Sequence, residues 1–363
     1  MKTIAAISTH VDKPFVFEEL DLDEPRADEL LVRVDAVGLC HTDLAVRGMW
    51  PEGVPIVLGH EGAGVVEAVG AEVTDVRPGD TVVLSFASCG ACDPCAMGAP
   101  GYCTRFAEAN VSGGRLDGSS TLIGSRGPVS GAFFGQSSFA RYALSSRRNA
   151  VVIDPALDLT QVAAFGCGIQ TGAGAVVNVL QPTPTGRLVV FGLGGVGMAA
   201  VMAGAIRGVE TIVGVDLSSS RRDIALAVGA THVIDGADPD VVGAVRDVTG
   251  GGSTHALDTT GVPAVIRTAA QALGSRGTLV VVGMGADPTL DVTDLIGGGK
   301  TVRGTIEGDA DPQTFIPQLI EWYQDGRLPM DRIVTAFPFT EIDRAVAGML
   351  DGTAIKPVLV FGD

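Results

Sequence analysis

The chain has 363 residues, a formal net charge of −17 and 46% hydrophobic residues. The hydrophobic share is enough for a sizeable core, and the length is enough for two domains at about 150 residues per domain. The acidic balance repels nucleic-acid phosphates and anionic lipid. The sequence contains neither an apolar run of the roughly 18 residues that a membrane span needs nor a secretory signal at its start. We therefore expect a soluble, cytoplasmic protein that binds neither nucleic acid nor membrane.

The first 150 residues predict an irregular, β-rich domain. Short segments rich in β-branched residues predict strands at 3–8, 29–37, 64–69 and 80–86. Turn-forming residues separate these segments, as in the Arg-Pro-Gly-Asp sequence at 77–80. The Gly- and Ser-rich stretch 104–135 is expected to lack regular structure.

Strands and helices alternate after about residue 168, which predicts right-handed crossovers and a parallel sheet. The predicted strands lie at 188–191, 211–216, 232–234, 255–258, 278–283 and 300–306, and the first two predicted helices at 195–207 and 219–228. The tail is expected to hold one helix at 313–324 and strands near 333–337 and 356–361. The fold class is therefore α/β, a β-rich domain joined to a doubly wound, parallel-sheet domain.

A glycine-rich turn joins the first strand and helix of the second domain. It contains Gly192, Gly194, Gly195, Val196 and Gly197 in a G-x-G-x-x-G pattern. In this context the three motif glycines allow a tight turn, close approach of a pyrophosphate, and close packing of helix on strand. The helix N-terminus attracts the phosphates. The turn therefore predicts a dinucleotide cofactor.

An acidic residue at the end of the next strand indicates which dinucleotide binds. Asp216 follows Gly197 by 19 residues. A carboxylate there accepts hydrogen bonds from both ribose hydroxyls and repels a 2′-phosphate, which favours NAD over NADP. The alternative role of Asp216 is to cap the following helix. Arg221 either reaches the ribose or is an ordinary solvated helix residue.

Four of the six cysteines are concentrated in fifteen positions, as Cys89, Cys92, Cys95 and Cys103. In a long chain with cytosolic features, clustered cysteines bind metal more often than they form disulfides. Four thiolates complete a tetrahedral shell around one Zn²⁺ and leave no open position. The cluster therefore predicts a structural zinc site.

The other two cysteines, Cys40 and Cys167, form a second candidate set with His60. Two Cys and one His with an open fourth position is the pattern of a catalytic zinc. Such a zinc acts as a Lewis acid that lowers the pKa of a bound alcohol. Taken singly, each cysteine has the alternative role of a small core residue, and His60 that of a buried histidine satisfied by backbone.

These residues give the chain its resemblance to the zinc-containing alcohol dehydrogenases of the medium-chain dehydrogenase/reductase superfamily, over nearly its whole length. The matching stretches are GLCHTD at 38–43, GHEGAGVV at 59–66, the four-Cys loop, GCGIQTG at 166–172 and the glycine-rich turn. Residues 133–139 and 166–177 resemble most the bacterial aryl (benzyl) alcohol dehydrogenases.

The resemblance implies a fold, cofactors and an assembly. It implies a GroES-like catalytic domain (1–168 and 307–363), a Rossmann NAD-binding domain (169–306), and an active site in the cleft. The implied cofactors are NAD and two zinc ions per chain, one catalytic and one structural. The implied partners are a small-molecule alcohol or aldehyde and further copies of the chain. A tetramer is favoured over a dimer, with the strand at 300–306 at a sheet edge where it can pair with another subunit.

The resemblance also implies roles around the catalytic zinc. Cys40, His60 and Cys167 hold the metal. Asp43 bonds the far nitrogen of His60, and Glu61 sits beside the metal and assists ligand exchange. Thr42 takes the alcohol proton into a relay.

Further roles follow from the same resemblance. Thr171 and Val196 pack on the nicotinamide side, and Lys356 is placed as a cation on the pyrophosphate. Many relatives end the proton relay with a histidine five residues after the first Cys ligand, where this chain has Ala45. His41 is then the relay base, a phosphate contact, or both.

The resemblance determines the substrate less closely than the cofactors. The resemblance places Trp50, Phe133 and Phe134 in the substrate cleft, with Met284 and Ile306 at its cofactor side. An aromatic lining suits a flat, apolar alcohol such as benzyl alcohol or an allylic terpenoid alcohol. The alternative is that these aromatic residues are ordinary core.

Three other functions each agree with part of the sequence. A glutathione-dependent formaldehyde dehydrogenase shares both zinc sites, but it needs cationic residues at the mouth of the cleft. A zinc ribbon that binds nucleic acid would account for the four-Cys loop, but the acidic charge argues against it. A relative that binds nucleotide without catalysis would not need all three catalytic ligands.

Overall fold

The computed structural model describes residues 1–362, which form two compact units. The first unit consists of Met1–Cys167, Asp311–Ile320 and Val334–Asp363, and the second of Gly168–Ala310 and Glu321–Ile333. The four-Cys loop and the Cys40–His60–Cys167 set belong to the first unit, and the glycine-rich turn belongs to the second.

The first unit is built mainly from two sheets. One has the spatial order Ile56–Val57, Lys2–Ser8, Val16–Leu22, Leu122–Gly124, Gly127–Val129. The other has the spatial order Ala150–Ile153, Thr81–Leu84, Gly62–Val69, Glu29–Gly38, Lys356–Val360, Val334–Pro338, and Tyr142–Ser146 also pairs with Glu29–Gly38. Their buried faces enclose a common core with Leu20, Leu58 and Phe139 fully buried. The predicted β-rich domain is therefore present.

The helices of this unit differ from the expectation in two places. The helices that lie wholly in it are His41–Met49, Asp93–Ala96, Phe106–Val111, Leu159–Val162 and Ile342–Asp351. The stretch 104–135 is not irregular, because it holds the helix Phe106–Val111 and a short hairpin formed by two of the strands given above.

The prediction of a single tail helix was also wrong. Besides Pro312–Gln324, the tail holds Ile342–Asp351. Ile342, Ala345 and Met349 are buried on one face of this second helix, which is the spacing of an amphipathic helix. It ends at Gly352, whose φ of 82° is favourable only for glycine.

The second unit contains a parallel sheet of six strands in the described chain. Their spatial order is His232–Asp235, Thr211–Asp216, Arg187–Phe191, Ser253–Asp258, Leu273–Val281, Thr301–Gly304. Helices that belong to this unit are Gly168–Gly174, Gly195–Ile206, Ser219–Ala227, Val241–Thr249, Pro263–Ala272 and Val292–Gly298. Numbered along the chain, the strands follow the order 3-2-1-4-5-6 of a doubly wound dinucleotide-binding fold. The predicted fold class is confirmed.

Strand boundaries were less accurate than strand identities. The fifth strand begins at Leu273, five residues before the prediction, and the last spans only Thr301–Gly304. All four residues of that last strand are exposed at the edge of the sheet. A short edge strand carries no alternating burial pattern, so its ends are poorly marked in sequence.

Within residues 1–362, no single helix has both the length and the apolar composition to cross a membrane. The bent pair Leu159–Gly166 and Gly168–Leu180 meets both criteria only when taken together, and most of its residues are buried inside the protein.

Candidate active site

The first candidate metal-binding group is built on the start of a helix. Cys40 precedes the helix His41–Met49, and its backbone N–H donates to Asp43 Oδ2 at 2.9 Å. Asp43 N–H donates in turn to the Cys40 carbonyl at 3.1 Å. This reciprocal cap fixes both the helix start and the Cys40 thiol.

Asp43 also orients His60. The Asp43 carboxylate is fully buried, and its Oδ1 lies 2.9 Å from His60 Nδ1 and accepts from Gly59 N–H at 3.0 Å. Burial alone lowers the pKa of His60, but contact with the Asp43 carboxylate raises it well above its usual range. The proton is thereby placed on Nδ1, and Nε2 is left as the ligand atom.

Four side chains converge beside this imidazole. Ligand atoms of Cys40, His60, Glu61 and Cys167 all lie within 4.8 Å of one another. His60 Nε2 is buried and has no hydrogen-bond partner among the described residues. The Cys167 thiol, by hydrogen bonding, lowers the pKa of the Cys40 thiol well below its usual range. An unpaired imidazole nitrogen and two thiols, one of them readily ionised, fit a zinc ion with an open coordination position.

Glu61 is held by a buried ion pair. Lys356 Nζ lies 2.7 Å from Glu61 Oε1 and 2.5 Å from Oε2, and it also donates to the Leu39 carbonyl at 3.1 Å. Both side chains are almost fully buried. Burial raises the pKa of Glu61 to about 7, against the opposing effect of the Lys356 ammonium. Lys356 thus offsets the cost of burying a carboxylate beside the metal site.

The second candidate metal-binding group is the four-Cys loop. Sulfur atoms of Cys89, Cys92, Cys95 and Cys103 all lie within 4.8 Å of one another. Backbone N–H groups of Cys95 and Thr104 lower the pKa of Cys92 to about 6, whereas burial raises that of Cys103 to about 11. Four thiols at this spacing fit one zinc ion in a closed tetrahedral shell.

The glycine-rich turn has the shape that a bound pyrophosphate requires. Gly192 has φ of 88°, and a Cβ there would lie 2.5 Å from Thr259 Oγ1. A Cβ on Gly197 would lie 1.9 Å from the Gly192 carbonyl oxygen, so helix and strand pack closely only with glycine. At Gly194, by contrast, a Cβ would meet nothing within 4 Å of the described chain. Gly194 is the N-cap of the helix Gly195–Ile206, so this free space adjoins the helix N-terminus.

Asp216 ends the neighbouring strand and bridges it to the turn. Its Oδ2 accepts from Leu193 N–H at 2.7 Å, and its Oδ1 accepts from Ser218 N–H at 2.8 Å. Ser218, rather than Asp216, is the N-cap of the next helix. Arg221 Nη1 lies 4.0 Å from Asp216 Oδ2, and the Arg221 side chain is 18% exposed, so it is not simply solvated.

The sequence also matches known families over most of its length. Residues 26–155 match the alcohol dehydrogenase GroES-like domain, and residues 195–325 match the zinc-binding dehydrogenase domain. A geraniol dehydrogenase from Castellaniella defragrans is 44% identical over 362 residues, 98% of this chain and 97% of the relative. The chain belongs to the zinc-type medium-chain alcohol dehydrogenases.

Two further alcohol dehydrogenase relatives bear on the substrate. The crystal structure of benzyl alcohol dehydrogenase from Acinetobacter calcoaceticus has a TM-score of 0.95 and 41% identity, with both chains fully covered. An S-(hydroxymethyl)glutathione dehydrogenase from Paracoccus denitrificans is 32% identical over 99% of this chain and 100% of that relative. The family and enzyme class predicted from the sequence, an NAD-dependent zinc alcohol dehydrogenase, are confirmed.

Within this alcohol dehydrogenase, one predicted cofactor contact lies beside the candidate metal group. The residue Lys356 is 3% exposed, and its ammonium is engaged by Glu61 and the Leu39 carbonyl. The contact of Lys356 with the pyrophosphate stays a prediction.

The aromatic residues expected to line the substrate cleft are mostly core. Phe133 is fully buried and Phe134 is 5% exposed. Their rings contact the His60 imidazole, with centroid distances of 5.3 and 4.5 Å. Trp50 is partly buried against the same core. These residues enclose the metal-binding imidazole rather than present an open surface.

The remaining predicted contacts belong to the second unit. Met284 and Ile306 are exposed residues of the second unit, at 66% and 41%. In that unit a Cβ on Gly172 would lie 2.0 Å from the Val196 carbonyl oxygen, so the helix that carries Thr171 packs on the glycine-rich turn.

The proton-relay candidates lie at the start of the first helix. Thr42 is half-buried, with its Oγ1 3.7 Å from Cys40 Sγ. His41 and Ala45 are exposed.

Sequence reasoning missed the residue that holds the His60 backbone. The buried Gln136 donates through Nε2 to the carbonyls of His60 and Ser85, and its Oε1 accepts from Gly62 N–H. A buried glutamine between two small residues was the available signal, but its partners lie 51 to 76 residues away.

Proposed function

We propose that the chain oxidises a primary aryl or allylic alcohol to the aldehyde with hydride transfer to NAD, and that it catalyses the reverse reaction. The observation that carries this proposal is the Cys40–His60–Cys167 group, whose buried imidazole contacts two phenylalanine rings. Relatives that act on geraniol and on benzyl alcohol support the substrate class.

Each residue of the group has a proposed role. Cys40, His60 and Cys167 hold the catalytic zinc, which supplies Lewis acidity that favours the alkoxide form of the alcohol. Asp43 keeps His60 in the tautomer that exposes Nε2. Thr42 accepts the alcohol proton, and Glu61 assists exchange of metal ligands.

The remaining cofactor assignments are proposals of the same kind. We infer a second, structural zinc in the four-Cys loop, which gives two zinc ions per chain. NAD is held by the glycine-rich turn, with Thr171 and Val196 on the nicotinamide side and Asp216 and Arg221 at the ribose. We propose that residues 1–168 and 307–363 form the catalytic domain and that residues 169–306 form the NAD-binding domain.

The substrate proposal is tested by steady-state kinetics with NAD. We expect kcat/KM for benzyl alcohol and geraniol to exceed that for S-(hydroxymethyl)glutathione by at least about 10²-fold, because two phenylalanine rings contact the imidazole of the candidate metal group and suit an apolar alcohol. A preference for S-(hydroxymethyl)glutathione would instead support the formaldehyde dehydrogenase alternative.

Removing the charge of Asp216 should relax cofactor choice. In the variant Asp216→Gly we expect the ratio of kcat/KM for NAD to that for NADP to fall by about 10²-fold, since a carboxylate near a 2′-phosphate repels it. Asp216→Asn should show the same direction while keeping an acceptor for Leu193 N–H. Asp235→Asn, at the end of the adjacent strand, is the control. Equal efficiency with both cofactors in the unmodified enzyme would refute the assignment.

The role of His41 is tested by measuring its effect on NAD affinity separately from its effect on the rate of hydride transfer. If His41 is the relay base, His41→Gln should slow hydride transfer by about 10²-fold and leave the Kd for NAD unchanged. If it only contacts phosphate, the Kd should rise and hydride transfer should not change. We propose the mixed role, in which both change, measured by stopped-flow and NAD titration. No change in either quantity removes His41 from the mechanism.

We also propose a cytoplasmic homotetramer. The exposed strand Thr301–Gly304 pairs with Leu273–Val281 along one edge, and no described strand pairs with its other edge, which we propose for contact with a second subunit. A monomeric mass in light scattering at micromolar concentration would contradict this assembly.

A further inference from the structure

A buried carboxylate follows the last strand of the parallel sheet. Glu307 comes three residues after Thr301–Gly304 and is 6% exposed. Its Oε2 accepts hydrogen bonds from Gln170 Nε2 at 3.0 Å and from Thr171 Oγ1 at 3.2 Å. Two donors on one oxygen stabilise the ionised form of a carboxylate. The mechanism proposed above gives this charge no role.

Glycine contacts fix this carboxylate relative to the glycine-rich turn. A Cβ on Gly308 would lie 2.7 Å from the Gln170 carbonyl oxygen, and one on Gly174 would lie 2.5 Å from the Gly308 carbonyl oxygen. The residues after the strand therefore pack directly on the helix Gly168–Gly174. As described above, that helix packs on the first turn of the next one through Gly172. Glu307 is thus held at a set position in the second unit.

The strand order indicates which half of the dinucleotide lies near Glu307. A dinucleotide spans the carboxyl edge of the sheet, with its pyrophosphate on the glycine-rich turn after Arg187–Phe191. Asp216, on one side of that strand, marks the adenosine ribose. The nicotinamide half must then lie over the carboxyl ends of the three strands on the other side. Glu307 follows the outermost of those three.

We propose that Glu307 determines cofactor specificity by redox state, favouring NAD⁺ over NADH. The oxidised nicotinamide ring is cationic and the reduced ring is neutral, so a nearby carboxylate attracts only the oxidised form. This inference rests on the proposed NAD-dependent function. Its consequence is preferential capture of NAD⁺ and easier release of NADH, the two cofactor steps of alcohol oxidation.

The first test is the variant Glu307→Gln in the full chain, with Kd for NAD⁺ and NADH measured by calorimetry without alcohol. We expect NAD⁺ to bind about tenfold more weakly, which corresponds to ~1.4 kcal/mol, and NADH to change less than about twofold. Glu307→Asp keeps the charge and should recover part of the preference. Asp309→Asn is the matched control, because this carboxylate lies in the same turn but pairs with Arg303 and Thr305.

A second test needs no variant. The unmodified protein should bind NAD⁺ about tenfold more tightly than benzamide adenine dinucleotide, in which an uncharged ring replaces the nicotinamide cation. Equal affinity of the unmodified protein for NAD⁺ and benzamide adenine dinucleotide would overturn the inference. Equally weakened binding of NAD⁺ and NADH in Glu307→Gln would also overturn it. If the unmodified protein binds neither NAD⁺ nor NADH, the proposed NAD-dependent function fails instead.

Discussion

Replacing His60 with alanine is expected to lower kcat/KM for alcohol oxidation by at least about 10³-fold and to remove one zinc ion per chain. The Nε2 atom is buried without a hydrogen-bond partner among the described residues, and the ligand atoms of His60, Cys40 and Cys167 lie within 4.8 Å of one another. Without it, the alkoxide loses the Lewis acid that stabilises it by several kcal/mol. The zinc content is measured by mass spectrometry after dialysis, and the rate with benzyl alcohol and NAD.

Two controls separate metal loss from unfolding. His232→Ala removes an exposed histidine bonded only locally, to Thr231 among the described residues, and should leave both zinc ions and the rate unchanged. Circular dichroism and NAD titration should show that His60→Ala remains folded with its cofactor site intact. Retention of full activity, or of both zinc ions, in His60→Ala would refute the catalytic assignment.

The sequence was sufficient to predict the groups whose members follow a motif. The parallel sheet follows from the alternation of strand and helix, and the turn glycines lie where strand and helix meet. The orientation of His60 by Asp43, 17 residues apart, was available only through the family resemblance, because no local pattern relates them.

The features of the site that the sequence did not predict depend on contacts between residues distant in sequence. Lys356 and Glu61 are 295 residues apart, so nothing in the local sequence shows that the cation neutralises a buried carboxylate. Phe134 lies in the left-handed region at φ of 50°, a conformation that sequence does not predict for phenylalanine and that accompanies its packing on His60. Glu307 is likewise defined by its partners Gln170 and Thr171 on a distant helix.

Cys92→Ser is expected to have the opposite profile to His60→Ala, with a large loss of stability and little change in intrinsic chemistry. The four-Cys loop has few hydrophobic residues of its own, and its helix Asp93–Ala96 has one turn and no buried residue. Such a loop depends on its metal for folding, and a structural zinc contributes several kcal/mol or more. We expect the melting temperature to fall by at least about 10 °C and one zinc ion to be lost.

The diagnostic measurement is single-turnover hydride transfer, normalised to folded protein. This rate should stay within about threefold of the unmodified enzyme, since a closed four-thiolate shell offers no position to substrate. Ser88→Ala, a change beside the loop that removes no thiolate, should alter neither melting temperature nor zinc content. If Cys92→Ser keeps its stability yet loses hydride transfer, the four-Cys zinc takes part in the chemistry and the division between a structural and a catalytic metal is wrong.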